Sequence, residues 1–431
     1  MSATRGLQRL ALAAILAALA CSRAGAQLPG AEPSEAAAPA PGTALSRWFN
    51  PVTAPFIPVP EIAVDPNSGT TLGVIPTWIQ TDAQHDISRI IAPDLLHNPY
   101  FGWGAHARVY SYPSVDEQWS LVADLKQRVE RGLDVEYQNG RSRLQRLSVG
   151  VSAIFDRSGS PRFFGIGNDS PQHSETNYTE QQELVETQLG WNLTHAWQLR
   201  YTGRARSVDV TAGTLSGIAS IGRRFSHALG LGTHSEQLNR LSIVYDTRDD
   251  VTVPRRGMEW VAYTGIASRH GLFNDSLYSE AGVDGRVFWA LNRDTVLAGH
   301  IALRYLPSVN RVPFWALSSL GGGQAVIGGE QPLRGFGEGR YYDRNSFSGT
   351  VELRHRLLSF NAVSTHVDLE LAPFVDAGRV FARSDSWPLS QLHTVGGVGF
   401  RGIARPFVVG YVDVGYGSDG VAVFTGISYP F

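Results

Sequence analysis

Cysteine is nearly absent: one residue, Cys21, among 431. It lies in an N-terminal stretch that reads as an export signal. If cleavage follows Ala26, the mature chain holds no cysteine, which excludes disulfides and cysteine-ligated metals. Long apolar runs are missing too. Beyond residue 26 nothing approaches the ~20 consecutive apolar residues of a membrane helix. No charge sign is in surplus: 37 basic residues face 39 acidic ones, for a net charge of −2. Without a basic block, nothing favours a nucleic-acid partner. The 12 histidines are scattered, with no HExxH or paired metal spacing. The serine of GTLSGIAS, Ser216, lacks the G-x-S-x-G frame of a nucleophile elbow. No catalytic residue, metal or cofactor is implied.

Glycine is abundant, at 46 residues, and Phe, Trp and Tyr together make 10%. That balance suits many short strands better than helices. Arg5 and Arg9 followed by the apolar stretch Leu10–Ala20 and the small-x-small site Ala24-Gly25-Ala26 read as a signal peptide over 1–26. A lipoprotein reading through Cys21 meets a leucine at the wrong place in Ala18-Leu19-Ala20. Residues 27–58 are rich in Ala and Pro, a leader expected to be disordered and too short for a folded domain. From residue 59 to 431 one pattern holds throughout, read as a single barrel domain.

That pattern is alternation. In WQLRYTGRAR, Trp197, Leu199 and Tyr201 oppose Gln198, Arg200, Thr202 and Arg204. In SFSGTVELRHRL, Phe347, Val351 and Leu353 oppose Ser348, Thr350, Glu352 and Arg354. A period of two marks strands between two environments. A soluble sandwich alternates as well. Two features favour a membrane barrel: rows of about ten residues, and bulky charges in series on the polar face, suited to a wet lumen. Sixteen strands are expected, at 69–80, 100–112, 116–126, 131–139, 146–156, 181–192, 197–207, 238–247, 257–268, 278–290, 296–306, 347–358, 366–381, 393–402, 405–416 and 420–431. The longest connections, 158–180, 208–237 and 307–346, belong outside the cell. The fold class is therefore all-β: a transmembrane antiparallel barrel.

The chain ends in FTGISYPF. Gly426, Tyr429 and Phe431 stand at spacings resembling the C-terminal signal by which outer-membrane barrels are recognised for insertion. Leu333-Arg334-Gly335-Phe336 resembles the (V/I/L)-R-G-(F/Y) motif of the BamA/TamA superfamily, the bacterial surface antigens. Phe374-Val375-Asp376-Ala377-Gly378 is similar to that family's F-x-D-x-G, and Glu352 matches its acidic residue one strand earlier. Tyr245–Trp260 resembles its strand-turn-strand signature, with Pro254 and Gly257 at a periplasmic turn. The match is specific over 240–431 and only compatible over 59–239.

The resemblance implies that the motif lies in the sixth extracellular loop, between strands eleven and twelve, and folds into the lumen. The residue chemistry agrees. Arg334 is always charged, so a confined lumen must supply carboxylates. Alternation puts Glu352 and Asp376 on inward faces. The expected lock is Arg334, Gly335 and Phe336 of the loop against Glu352 and Asp376 of the wall, with Phe374 and Gly378 beside it. The leader is too short for the periplasmic polypeptide-transport-associated domains of the family, so a barrel-only member is expected. Its implied location is the bacterial outer membrane. Its implied role is membrane biogenesis or movement of protein or lipid, through a seam between strands 69–80 and 420–431 that Pro430 would weaken. A passive pore is the alternative; a rim enzyme or a soluble β protein stands further off. Implied partners are outer-membrane lipids, the barrel-assembly machinery during insertion and an unidentified periplasmic protein. A single-chain ring is expected to be monomeric.

Overall fold

The computed structural model describes residues 57–82, 86–271, 274–362, 365–383, 387–404 and 408–431. The signal segment and residues 27–56 of the leader lie outside them. Eighteen antiparallel strands close into one ring. They are β1 (Ile57–Asp65), β2 (Gly69–Thr81), β3 (Ile87–Ile91 continuing as Asp94–Asn98), β4 (Gly102–Ser111), β5 (Gln118–Lys126) and β6 (Arg131–Asn139). There follow β7 (Leu147–Ser158), β8 (Thr176–Asn192), β9 (Trp197–Ala212), β10 (Gly232–Asp246), β11 (Gly257–His270) and β12 (Asn274–Ala290). The ring ends with β13 (Thr295–Val309), β14 (Asn345–Ala362), β15 (Thr365–Phe381), β16 (His393–Ala404), β17 (Val408–Gly417) and β18 (Gly420–Ile427). Among the described residues no helix is long and apolar enough to cross a membrane.

The strand count corrects the expected sixteen. The two additional strands are β1 and β3. The first carries Pro58 and Pro60, which interior strands exclude and edge strands accept. The second is interrupted at Ala92-Pro93, so neither half shows a long alternating row. Residues 57 and 58, counted in the leader above, already belong to the wall. The seam moves with the count: it joins β1, not β2, to β18. Among the described residues, Val64 opposite Val423 is the one paired position along this seam, whereas β1 pairs with β2 from Ile57 to Asp65. The motif loop accordingly lies between β13 and β14 in this ring, not between the eleventh and twelfth strands.

The two faces of the wall are inverted relative to a water-soluble protein. Leu199, Leu241, Ile243, Trp289, Val351 and Val375 are exposed on the outside. Arg334, Arg354 and Arg401 are among the largest fully buried side chains. An apolar exterior around a charged interior suits lipid outside and a polar lumen inside. Strand alternation puts the connections 159–175, 213–231 and 310–344 on one rim, opposite both ends of the ring. There Phe163, Tyr178, Val208, Ile221, Phe314 and Tyr342 pack into an apolar cap.

Candidate functional site: an arginine lock in the lumen

The connection after β13 is a hairpin with a short stem. Ser318–Leu320 pairs antiparallel with Tyr341–Asp343. Beyond the stem the chain turns inward, and Arg334 reaches the wall with no exposed surface. Its backbone N–H and its Nε both donate to Asp376 Oδ2, each at 3.0 Å. One Nη donates to Asp376 Oδ1 at 2.8 Å. The other donates to Glu352 Oε2 at 2.8 Å and to Asp413 Oδ2 at 2.9 Å. The guanidinium also lies 3.4 Å from the centre of the Phe374 ring. The planar fork thus meets one carboxylate with two parallel bonds, a geometry that lysine cannot make.

Two further arginines complete the cluster. Arg401 on β16 donates to Glu352 Oε2 at 3.1 Å and pairs with Asp413 Oδ1. Arg354 donates through Nε to Glu352 Oε1 at 2.9 Å. Three guanidinium groups therefore face three carboxylates, and all six residues are buried. Balanced charge with several hydrogen bonds per ion is what a desolvated cluster requires.

Glycines let the loop touch the wall. A Cβ on Gly415 would stand 1.9 Å from the Arg334 carbonyl oxygen. One on Gly335 would stand 2.6 Å from the Gly417 backbone nitrogen. Phe336 is buried with Leu320, Leu333, Tyr341, Phe374 and Val395. At Gly378 a Cβ would crowd Leu320 Cδ1 at 3.1 Å.

The opposite wall holds the same loop. Arg240 Nε donates to Glu280 at 2.7 Å, and its Nη1 donates to the Ile327 carbonyl at 2.9 Å. Arg304 pairs with Glu280 at 3.0 Å and donates to the Leu317 carbonyl at 3.1 Å. None of Asp413, Arg401, Arg240, Glu280 and Arg304 was singled out in the sequence. Their one signal was a charge on the inward row of a strand, which names no partner.

Pro254 lies in a ten-residue connection, 247–256, and Gly257 directly follows it. Gly257 starts β11 with φ +96° and closely approaches the Thr247 carbonyl. Neighbouring Val253 packs inside the ring against Ile403, Val409 and Tyr429. The last strand ends at Ile427, short of the expected 431. Gly426 stays in β18, beside the Tyr411 ring. Ser428 takes φ +79° and the chain leaves the wall for the lumen. Phe431 stacks on His300, with ring centres 5.2 Å apart. Arg354 lies 3.7 Å from the Tyr429 ring centre, and its two Nη atoms have no hydrogen-bond acceptor among the described residues. The aromatic faces of the tail therefore shelter that end of the guanidinium.

Among the described residues, Glu61, Asp94 and His106 could bring three ligand atoms around a metal ion. The Arg108 guanidinium already pairs with the same Asp94 carboxylate and contacts His106. That cation makes the trio an ion-paired cluster and opposes a second positive charge.

Fold and site together define a class: a membrane β-barrel whose lumen is filled by an arginine-locked loop. Residues 117–401 match the Omp85 superfamily domain. The chain belongs to the Omp85 superfamily, a group of outer-membrane barrels. A search of curated proteins found no match. Among solved structures it is similar to BamA from Haemophilus ducreyi lacking POTRA domains 1–3, at 12% identity and a TM-score of 0.48, covering 82% of this chain and 74% of that one. It is also similar to CdiB from Escherichia coli, at 13% identity and a TM-score of 0.43, covering 86% of this chain and 62% of that one. CdiB from Acinetobacter baumannii is similar at 12% identity and a TM-score of 0.46, with 87% and 65% covered. The chain spans less than two thirds of the length of either CdiB.

Proposed function

We propose that this protein is exported by a cleaved signal peptide and acts in the bacterial outer membrane, in membrane biogenesis or in moving protein or lipid. The moving part is the seam between β1 and β18. The observation that carries this reading is the contrast between that seam and the lumen. At the seam one residue pair among the described residues, Val64 and Val423, joins the strands. In the lumen the loop is tied to both walls. Opening the seam breaks few backbone bonds and frees a strand edge, to which an incoming strand can pair by β-augmentation. Opening the lumen instead means breaking buried ion pairs. A passive pore is disfavoured by the same contrast, because the loop occupies the axial route.

The test is a reversible cross-link. Val64→Cys and Val423→Cys, in a background with Cys21 replaced, place two thiols across the seam. Oxidation is expected to abolish insertion of a test barrel into proteoliposomes containing the protein, and reduction to restore it. Equal insertion in the oxidised and reduced states would refute a moving seam. Planar-bilayer conductance before and after deletion of 328–342 addresses the pore: large currents from the intact protein would favour it.

A further inference from the structure

At the rim that carries the chain ends, the ring encloses a cavity of about 220 Å³. It is bounded by the inward faces of β4 to β6, the connection 247–256 and the C-terminal tail. Arg141, Arg248 and Arg286 line it, against one acidic side chain, Glu136. The three guanidinium groups are not equally satisfied. Arg248 donates twice to Asp246, at 3.0 and 2.8 Å, and lies 3.2 Å from Glu259. Arg286 stands 3.6 Å from Glu259 and 3.5 Å from Asp284. Arg141 forms no ion pair among the described residues; its Nη1 donates to the Gln118 side-chain oxygen at 2.6 Å. Phe431 shares the cavity, its ring stacked on His300.

An unpaired guanidinium with five donors, set beside Tyr110 and Ser120 in a confined polar space, calls for an acceptor-rich anion. The volume is below the ~300–1,000 Å³ of sites for drug-sized ligands. It suits a compact head, and an acyl chain would have to remain outside. We infer that this cavity is a phosphate-binding site, with Arg141 as the residue that meets the anion, entered from the side of the chain ends. Two sources share the chemistry: a phospholipid headgroup and a small water-soluble phosphate ester. The inference stands apart from the seam mechanism, since it needs only the folded ring.

The test uses the full chain refolded in dodecyl maltoside, at low salt. Phosphorus NMR line widths of glycerol 3-phosphate and of dihexanoylphosphatidylglycerol are followed as protein is added. Wild-type protein is expected to broaden at least one resonance. Equal affinity for both identifies a soluble ester as sufficient; broadening of the lipid alone identifies the headgroup. Arg141→Gln is expected to weaken binding at least ten-fold, and Arg141→Lys to fall between. Arg146→Gln, whose wild-type guanidinium lies 5.1 Å from the Trp191 ring centre, is expected to bind like wild type. Heat-modifiable mobility confirms that each variant is folded. No broadening of either probe by wild-type protein overturns the inference. So does unchanged binding by folded Arg141→Gln and Arg141→Lys.

Discussion

Replacing Arg334 by alanine removes one of three cations from a cluster of three anions. Asp376 loses three hydrogen bonds, two of them to the fork and one to a backbone N–H that the relaxed loop would carry away. Glu352 keeps Arg354 and Arg401, and Asp413 keeps Arg401. Asp376 is left with the Thr350 hydroxyl, at 3.0 Å. It is the stranded charge. Leaving a buried partner uncompensated costs about 3–5 kcal/mol. Both groups are fully buried, so no discount for solvent exposure applies.

The assay is urea unfolding of the refolded barrel, read by heat-modifiable mobility. Arg334→Ala is expected to lower stability by about 3–5 kcal/mol, and Arg334→Lys by about 1–3 kcal/mol, since the charge stays while the fork is lost. Arg334→Ala combined with Asp376→Ala removes the stranded charge. The double variant should therefore be more stable than the sum of the single effects predicts, by at least about 1 kcal/mol. Additive single effects, or a loss below about 1 kcal/mol for Arg334→Ala, would refute the claim that ion pairing holds the loop.

Gly415→Ala sets a Cβ 1.9 Å from the Arg334 carbonyl and is expected to cost about 1–3 kcal/mol. Gly396→Ala on the neighbouring strand meets nothing within 4 Å and should be near neutral; equal urea midpoints for the two would contradict the close approach. Phe431→Ala empties a buried aromatic site in the lumen and is expected to cost about 3–5 kcal/mol in machinery-free refolding. Loss of assembly in cells with unchanged stability in vitro would instead mean that the residue serves insertion alone. Glu330, in the loop, is half-buried, and desolvation followed by the charge of Glu338 raises its carboxyl well above the usual 4.5. A raised acid binds its proton more tightly when folded, so this contribution is complete below pH 4.5 and fades as pH rises through the folded value. Hydrogen exchange at 326–340, corrected for intrinsic rates, should therefore show less protection at pH 8 than at pH 4.5. A flat profile, or Glu330→Gln leaving the profile unchanged, would count against it.

The wall was legible because lipid and lumen impose opposite demands on alternate residues. All sixteen expected strands have counterparts among the eighteen. The two that escaped lack that signal for physical reasons: prolines at the seam in β1, and a break at Pro93 in β3. The loop arginine was legible because a glycine-rich segment carrying one arginine resembles a family motif. Its third carboxylate was not. Asp413 lies 79 residues from Arg334, and nothing in YVDVG announces a partner so distant in sequence. The inward path of the tail was equally hidden. Gly-x-x-Tyr-x-Phe reads as more strand, and the departure at Ser428 is a backbone event with no compositional mark.

The distribution of these bonds also argues for where the ring can yield. The Arg334 cluster takes two charged groups from β14 and one from each of β15, β16 and β17, stitching four consecutive strands around a single loop residue. On the far side Arg240, Glu280 and Arg304 bind β10, β12 and β13 to the same loop. Neither β1 nor β18 contributes a charged side chain to either cluster. Separating any two of the stitched strands must break ladder bonds and also strand a buried ion, whereas parting β1 from β18 breaks the pairing at Val64 and Val423 and exposes no ion of either cluster. The loop thus does more than fill the lumen. It ties β10, β12 and β13 on one side and β14 to β17 on the other with buried ions, and the sparsely paired β1–β18 junction lies outside both sets.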